Sequence, residues 1–329
     1  MEPLHSHFDG TRFRNISSRR NGFGAMIRWL LLRHHRSWHP ALDSRPEQPP
    51  PQHSDSLRIT FVNHATFLLQ FEGINILTDP IWSKRAAPVS WAGPRRHRPP
   101  GIRLSDVPPI DLVLVSHDHY DHMDLPTLRW LAAEFRPTIY TGLKNARLLA
   151  RNGIQNVVEL DWWQEAPARS DIWVTAVPAQ HFSGRHPFAV NKTLWCGFMV
   201  QSNQTSIYFA GDTGGGPHID QIAQRFPQID LALLPIGAFR PRWFMGEMHM
   251  SPQDAVEAHQ RLGARLSVAS HFGTFDLADD GKDEPVDVLQ NVLRSTNLKE
   301  TEFWVLGFGE GREVPARLRR PASPRIVAS

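Results

Sequence analysis

The stretch SHDHYDHMD, residues 116–124, decides how the rest of the chain is read. It follows the apolar run DLVLV at 111–115, which reads as a buried strand. A strand ending in His117-x-His119-x-Asp121-His122 can present four potential metal ligands from one turn. Neutral imidazoles and a carboxylate suit zinc, and also iron or manganese. Histidines also occur as ordinary surface residues. Packed this tightly behind a hydrophobic strand, they favour the ligand reading.

Three later apolar runs end in the same way. TAVPAQ (175–180) leads to His181, YFAG (208–211) to Asp212, and SVAS (267–270) to His271. Strand ends are rigid and hold ligands within the tolerance that a metal demands. Taken singly, each of these residues is a weak signal. Repetition beside a strong first motif supports them. If the strand ends converge, seven ligands meet: His117, His119, Asp121, His122, His181, Asp212 and His271. That set suits two metal ions sharing one carboxylate and one water.

The surrounding pattern alternates strands with helices. Strands are expected at 58–62, 66–71 and 74–78, the last two joined by a Glu72-Gly73 turn. Further short strands fall at 138–140, 156–160, 172–177, 206–210, 231–234, 266–269 and 302–306. Helices are expected at 125–135, 144–152, 217–226, 252–262 and 285–296, with Pro252 after Ser251 as a proline follows an N-cap. Strands first, then strands mixed with helices, fit an α+β sandwich of two sheets with helices outside. The loop from Asp79 to Gly101 exceeds a simple connection and is a candidate for substrate contact.

Composition narrows the chemistry. The chain has 329 residues, 41% of them hydrophobic, which suffices for a sizeable core. Its one cysteine, Cys196, forms no intrachain disulfide and leaves little room for a thiolate metal site. It lies in the apolar run 194–200 and reads as a core residue. The formal net charge of +3 carries no nucleic-acid signal, and no nucleic acid is expected as a partner. No run approaches the ~18 apolar residues that span a bilayer. Residues 1–57 form an arm rich in Arg, His and Pro, with a short amphipathic segment at 25–32 and a Pro-rich linker at 46–52. The amphipathic segment either packs on the domain or lies in a membrane interface. A cytoplasmic or peripheral membrane protein is expected, with an exported form left open. A basic tail occupies 316–329.

At this point the chain resembles a family. The histidine turn and later strand-end ligands are similar to the metallo-β-lactamase superfamily. The motifs NHAT (63–66), LTDPI (77–81), AGPRR (92–96), RPPG (98–101), ELDWW (159–163), AGDTG (210–214), PIGA (235–238), PRWFM (241–245) and HFGTF (271–275) resemble one branch of it. That branch is the N-acylphosphatidylethanolamine-hydrolysing phospholipase D family. The resemblance runs in order from about residue 58 to 310, and departs at Asn63, where the family's Gly-His-Ala-Thr begins with glycine.

The resemblance implies an αβ/βα metallo-β-lactamase-like sandwich over 58–315, with two mixed β-sheets flanked by helices. It implies two zinc ions, iron and manganese staying open on composition alone. His117, His119 and His181 would bind one ion; Asp121, His122 and His271 the other; Asp212 would bridge. His249 matches a histidine that contacts substrate, and Tyr120 could do the same. Asp79 would orient a metal-bound imidazole, and His64 would do similar work or lie in the core. Asp121 could also orient the nucleophile. The implied reaction is hydrolysis of a phospholipid phosphodiester by metal-activated water, releasing an N-acylethanolamine and a phosphatidic acid. The alternatives are another hydrolase of this fold, a lactonase or an RNA phosphodiesterase, and a non-catalytic metal-binding protein. The oligomeric state is open, a homodimer included.

Overall fold

Side-chain alternation sorts the first strands into faces. In β1 (Arg58–Asn63), β2 (Thr66–Phe71) and β4 (Leu112–Val115), Phe61, Phe67 and Leu114 enter one apolar cluster. Val62, Leu68, Val113 and Val115 enter another. Strands with apolar surroundings on both sides belong to a sheet covered on both faces. The computed structural model describes residues 7–17, 22–33, 38–39, 48–296, 298–299 and 301–316. The basic tail expected at 316–329 therefore lies outside the described residues beyond position 316, as does part of the Pro-rich linker.

With β3 (Ile74–Thr78), β5 (Thr138–Gly142), β6 (Val157–Leu160) and β14 (Gly311–Glu313), these strands form a seven-stranded sheet ordered β14-β1-β2-β3-β4-β5-β6. The second sheet has β7 (Glu165–Arg169), β8 (Ile172–Val177), β9 (Gly197–Gln201), β10 (Ser206–Phe209), β11 (Leu231–Pro235), β12 (Ser267–Ser270) and β13 (Phe303–Trp304), ordered β13-β12-β11-β10-β9-β8-β7. Both are mixed. Pairing is antiparallel through β14, β1, β2 and β3 and through β7 to β10. It is parallel from β3 to β6 and from β10 to β13.

Helices cover the outer faces. On the first sheet, α2 (Leu125–Glu134) and α3 (Ala146–Arg151) bury Leu128, Leu131 and Leu149. On the second, α4 (His218–Arg225), α6 (Pro252–Leu262) and α7 (Glu284–Ser295) bury Ile222, Val256 and Leu289. A capping box starts α6: Asp254 N–H donates to the Ser251 hydroxyl while Ser251 N–H donates to Asp254. This is the expected αβ/βα sandwich. Cys196 is buried within it, and burial pushes its thiol well above the ordinary range.

Several elements differ from expectation. Strands β7 and β14 contain little apolar pattern, because β7 is an edge strand with alternating exposure and β14 pairs only with the edge of β1. The apolar run at 194–200 contributes β9. A four-residue helix, α5 (Arg242–Met245), precedes His249 and is too short to show a period. The described arm lies on the sandwich. Phe13 is buried in the intersheet cluster, and α1 (Phe23–Leu32) stacks Trp29 on Phe244 at 5.1 Å.

Candidate metal centre

The site begins where β4 ends. Asp79, just past β3, accepts from the Ser116 backbone N–H at 2.7 Å and the Ser116 hydroxyl at 2.6 Å. The His122 ring then bonds the same carboxylate through Nδ1 at 2.6 Å. One buried aspartate thus holds both ends of the 116–122 turn and directs His122 Nε2 inward. The turn closes on itself through His122 and Met123 N–H groups donating to the His119 carbonyl.

The strand ends converge. The ligand atoms of His117, His119 and His181 lie within 4.8 Å of one another, as do those of His64, Asp121, His122 and His271. Asp212 lies between the two groups. Its Oδ2 is 3.1 Å from His122 Nε2, 3.1 Å from His271 Nε2 and 3.7 Å from His181 Nε2. Asp121 Oδ2 is 3.3 Å from His122 Nε2 and 3.6 Å from His271 Nε2. All seven residues expected as ligands are therefore brought together, from four strand ends on two sheets.

The other expected residues fall around this cluster. His64 Nε2 is 3.0 Å from Asp121 Oδ2, so the imidazole stands beside the ligand group itself. His249 Nδ1 is 3.9 Å from Asp212 Oδ2, and this side chain keeps 11% exposure. Tyr120 packs under the Arg185 guanidinium at 3.9 Å and donates to the Arg185 carbonyl. Asn63, where the resemblance predicted glycine, donates to the Ile81 carbonyl and accepts from Arg96. Arg96 is thereby engaged inside the 79–101 loop, against Phe275, and Arg98 pairs with Asp283. Trp82 donates to the Ile102 carbonyl, so the loop's first tryptophan is packed while Trp91 stays exposed.

Backbone strain collects here. His64, Asp79 and His271 have φ of 48°, 35° and 61°, a region that costs a non-glycine residue about 1–3 kcal/mol. The strained ends are cross-tied, since His271 N–H donates to the His64 carbonyl at 2.8 Å. Gly211 lets the Asp212 strand end pass the histidine turn. A Cβ there, at φ 60°, would sit 2.6 Å from Ser116 Cβ.

Electrostatics separates the imidazoles into two kinds. Burial pushes His119 down to about 4 and His181 and His64 to about 3. His117 and His249 are also lowered, well below the ordinary imidazole range, by burial and neighbouring imidazoles. Neutral imidazole is the form that donates to a metal. Burial also works against charge on His122 and His271, but Asp212 and Asp121 outweigh it and raise both, His271 to about 9. The same contacts keep Asp121 and Asp212 ionised despite burial.

The residues fit a metal. His122 Nε2, His271 Nε2, Asp212 Oδ1 and His249 Nδ1 are buried without a hydrogen-bond partner. Buried polar atoms almost always find partners, and here nitrogen and carboxylate donors point into one space. Cations with these preferences satisfy them together.

Some residues escape sequence reasoning. Ser116 and Thr213 each adjoin a ligand but belong to no ligand type. Thr213 Oγ1 accepts from Gln180 N–H and lies 3.0 Å from His218 Nε2, tying the Asp212 and His181 loops together. Asn15 meets His181 across a sequence separation of 166, which no local pattern announces.

Fold and site define a buried metal centre, and the relatives of the chain make it a metal-dependent hydrolase. Residues 74–272 match the Beta-lactamase superfamily domain. The chain is 36% identical over 271 residues to "N-acyl-phosphatidylethanolamine-hydrolyzing phospholipase D 1" of Caenorhabditis elegans, covering 78% of this chain and 76% of that protein. It is 35% identical over 238 residues to "N-acyl-phosphatidylethanolamine-hydrolyzing phospholipase D, mitochondrial" of Saccharomyces cerevisiae, covering 70% of this chain and 50% of that protein. Its fold is similar to that of Igni18, a metallo hydrolase from Ignicoccus hospitalis, with a TM-score of 0.60 and 22% identity over 80% of this chain and all (100%) of the other. The chain belongs to the metallo-β-lactamase superfamily, in its N-acyl-phosphatidylethanolamine-hydrolyzing phospholipase D family.

Proposed function

We propose that this protein is a dinuclear zinc phosphodiesterase that cleaves N-acylphosphatidylethanolamine to an N-acylethanolamine and a phosphatidic acid. The observation that carries the reading is Asp212 Oδ2, 3.1 Å from two imidazoles of one group and 3.7 Å from an imidazole of the other. A carboxylate so placed suits a bridge between two ions. His117, His119 and His181 would hold the first, and Asp121, His122 and His271 the second. Such ions supply Lewis acidity toward phosphoryl oxygen and lower the pKa of water to near 7.

The chain's own residues supply the rest. Asp79 orients His122 through Nδ1. Asp121, ionised and beside His64, accepts a hydrogen bond from the attacking water and orients it. His249, a neutral imidazole with 11% of its side chain exposed, would meet the substrate phosphate or leaving oxygen. Phospholipid reaches the site from a membrane surface. In support, α1 buries Ala25 and Trp29 toward the domain and leaves Leu30, Leu31 and Leu32 exposed by 55%, 80% and 54%. Among the described residues no helix is long and apolar enough to cross a membrane, so contact would be peripheral.

The test is metal analysis joined to product identification by mass spectrometry. Purified protein is offered vesicles containing N-acylphosphatidylethanolamine, a lactone and an RNA. Two equivalents of zinc, with N-acylethanolamine released from the vesicles, support the proposal. Turnover of the lactone or RNA alone transfers the site to another hydrolysis, and normal metal content without turnover makes it a binding protein. His119→Ala is expected to lower turnover by on the order of 10³-fold, the several kcal/mol that metal stabilisation supplies.

A further inference from the structure

The N-terminal arm reaches a ligand. Asn15 Nδ2 donates to the His181 carbonyl at 2.8 Å, and His181 N–H donates to Asn15 Oδ1 at 3.1 Å. One side-chain amide thus satisfies both backbone groups of His181, as a neighbouring strand would. It does so where β8 has already ended at Val177. The preceding residue is tied to the arm through its side chain: Gln180 Nε2 donates to the Ser17 carbonyl, and the Ser17 hydroxyl to Gln180 Oε1.

The amide is itself fixed. Trp195 Nε1 donates to Asn15 Oδ1 at 3.1 Å, Phe13 is buried, and Phe13 N–H donates to the Asn191 carbonyl at 2.8 Å. On the far side of the ring, His181 Nδ1 bonds the Met248 carbonyl at 2.9 Å, which leaves Nε2 facing the cluster. Asn15 sets the backbone, Met248 sets the ring, and the two together aim one nitrogen. The matched superfamily domain begins only at residue 74, so this support comes from outside it.

We propose that Asn15 is a positioning residue for the metal centre, through which the N-terminal arm sets the affinity of the ion on the His117, His119 and His181 side. The proposal rests on His181 being a ligand. Loss of a partner that orients a ligand costs about 10–100-fold in metal affinity, and loss of the Asn15 amide is expected to fall in that range. The cost falls on one ion, because the Asn15 side chain bonds His181 and Trp195 and forms no hydrogen bond with Asp121, His122 or His271.

The experiment titrates zinc from the full chain with a chromophoric chelator and follows thermal unfolding of the metal-free protein. Asn15→Ala removes both bonds. Asn15→Asp keeps the acceptor for His181 N–H and Trp195 but loses the donor to the His181 carbonyl, so the arm still has its anchor. Arg14→Ala, which removes a guanidinium paired with Asp9 at the surface, is the control. The expected result is that one of two zinc equivalents is released at least about tenfold more readily from both Asn15 variants, with metal-free unfolding close to the parent's. Parental release of both equivalents overturns the proposal. So does equal weakening of both equivalents with a matching loss of stability, which marks a general packing role. A parent that binds no zinc overturns the reading of the site instead, and this inference with it.

Discussion

Asp79 is the residue on which the histidine turn depends. It takes three hydrogen bonds, two from Ser116 and one from His122, while buried at 0% exposure. Asp79→Asn keeps the shape but turns an acceptor toward a donor conflict, and His122 loses its fixed tautomer. Metal affinity measured by competition is expected to fall about 10–100-fold. His218 gives a prediction in pH. Burial, with Arg261 adding to it and Asp220 opposing, pushes this imidazole down to about 3. The unfolded chain takes up a proton near pH 6.5 that the folded chain refuses. Its contribution is complete above that pH and is lost as pH falls toward 3, at up to on the order of 1 kcal/mol per pH unit. His218→Gln is expected to flatten the acid side of a urea-midpoint profile between pH 6.5 and 4 by one proton's worth. An unchanged slope would show that His218 already titrates normally. The ligand types were readable in the sequence because chemistry restricts them to His and Asp. Asn15, Ser116 and Thr213 were not, since amides and hydroxyls occur everywhere and act here through geometry alone.

At the scale of elements, the strands that deliver ligands were the easiest to read. Residues 112–115, 172–177 and 267–270 are apolar, short and bounded by polar residues, and each ends at the site. The edges were harder. Strand β7 is EAPAR, with a proline that only an edge tolerates, and β14 is GRE, stabilised by its pairing and not by burial. Helix α1 was readable as amphipathic, but not which face it packs. The structure turns Trp29 inward, where its Nε1 donates to Asp279, and leaves the leucines out. Leu31→Glu places a charge on that outward face without touching the packed one. Recovery with phospholipid vesicles in flotation is expected to drop severalfold while hydrolysis of a dispersed short-chain substrate stays near parental. Undiminished recovery would place vesicle contact elsewhere on the surface.

At the scale of the molecule, the centre is a seam. The histidine turn leaves the first sheet, while His181, Asp212 and His271 leave the second, so metal bound there would join the two sheets. The sandwich was legible because strands preceded a regular alternation of strands and helices. The arm's hold on it was not, because Phe13 and Asn15 reach partners more than a hundred residues away. Ions bound only by the folded chain stabilise it by about 2.7 kcal/mol at a hundredfold excess over Kd. Chelation is therefore expected to lower Tm by several degrees, with both sheets losing structure together. A Tm indifferent to chelator would mean that the seam holds without metal.

The buried position of Cys196 has a practical consequence. Its thiol is the chain's only one, lies out of solvent, and resists ionisation. Alkylating reagents require an accessible thiolate, so the folded molecule is silent to them. A cysteine introduced at Leu31 would therefore take a single fluorophore without any other change to the chain, and the colour of that dye would report directly whether the helix enters oil or stays in water.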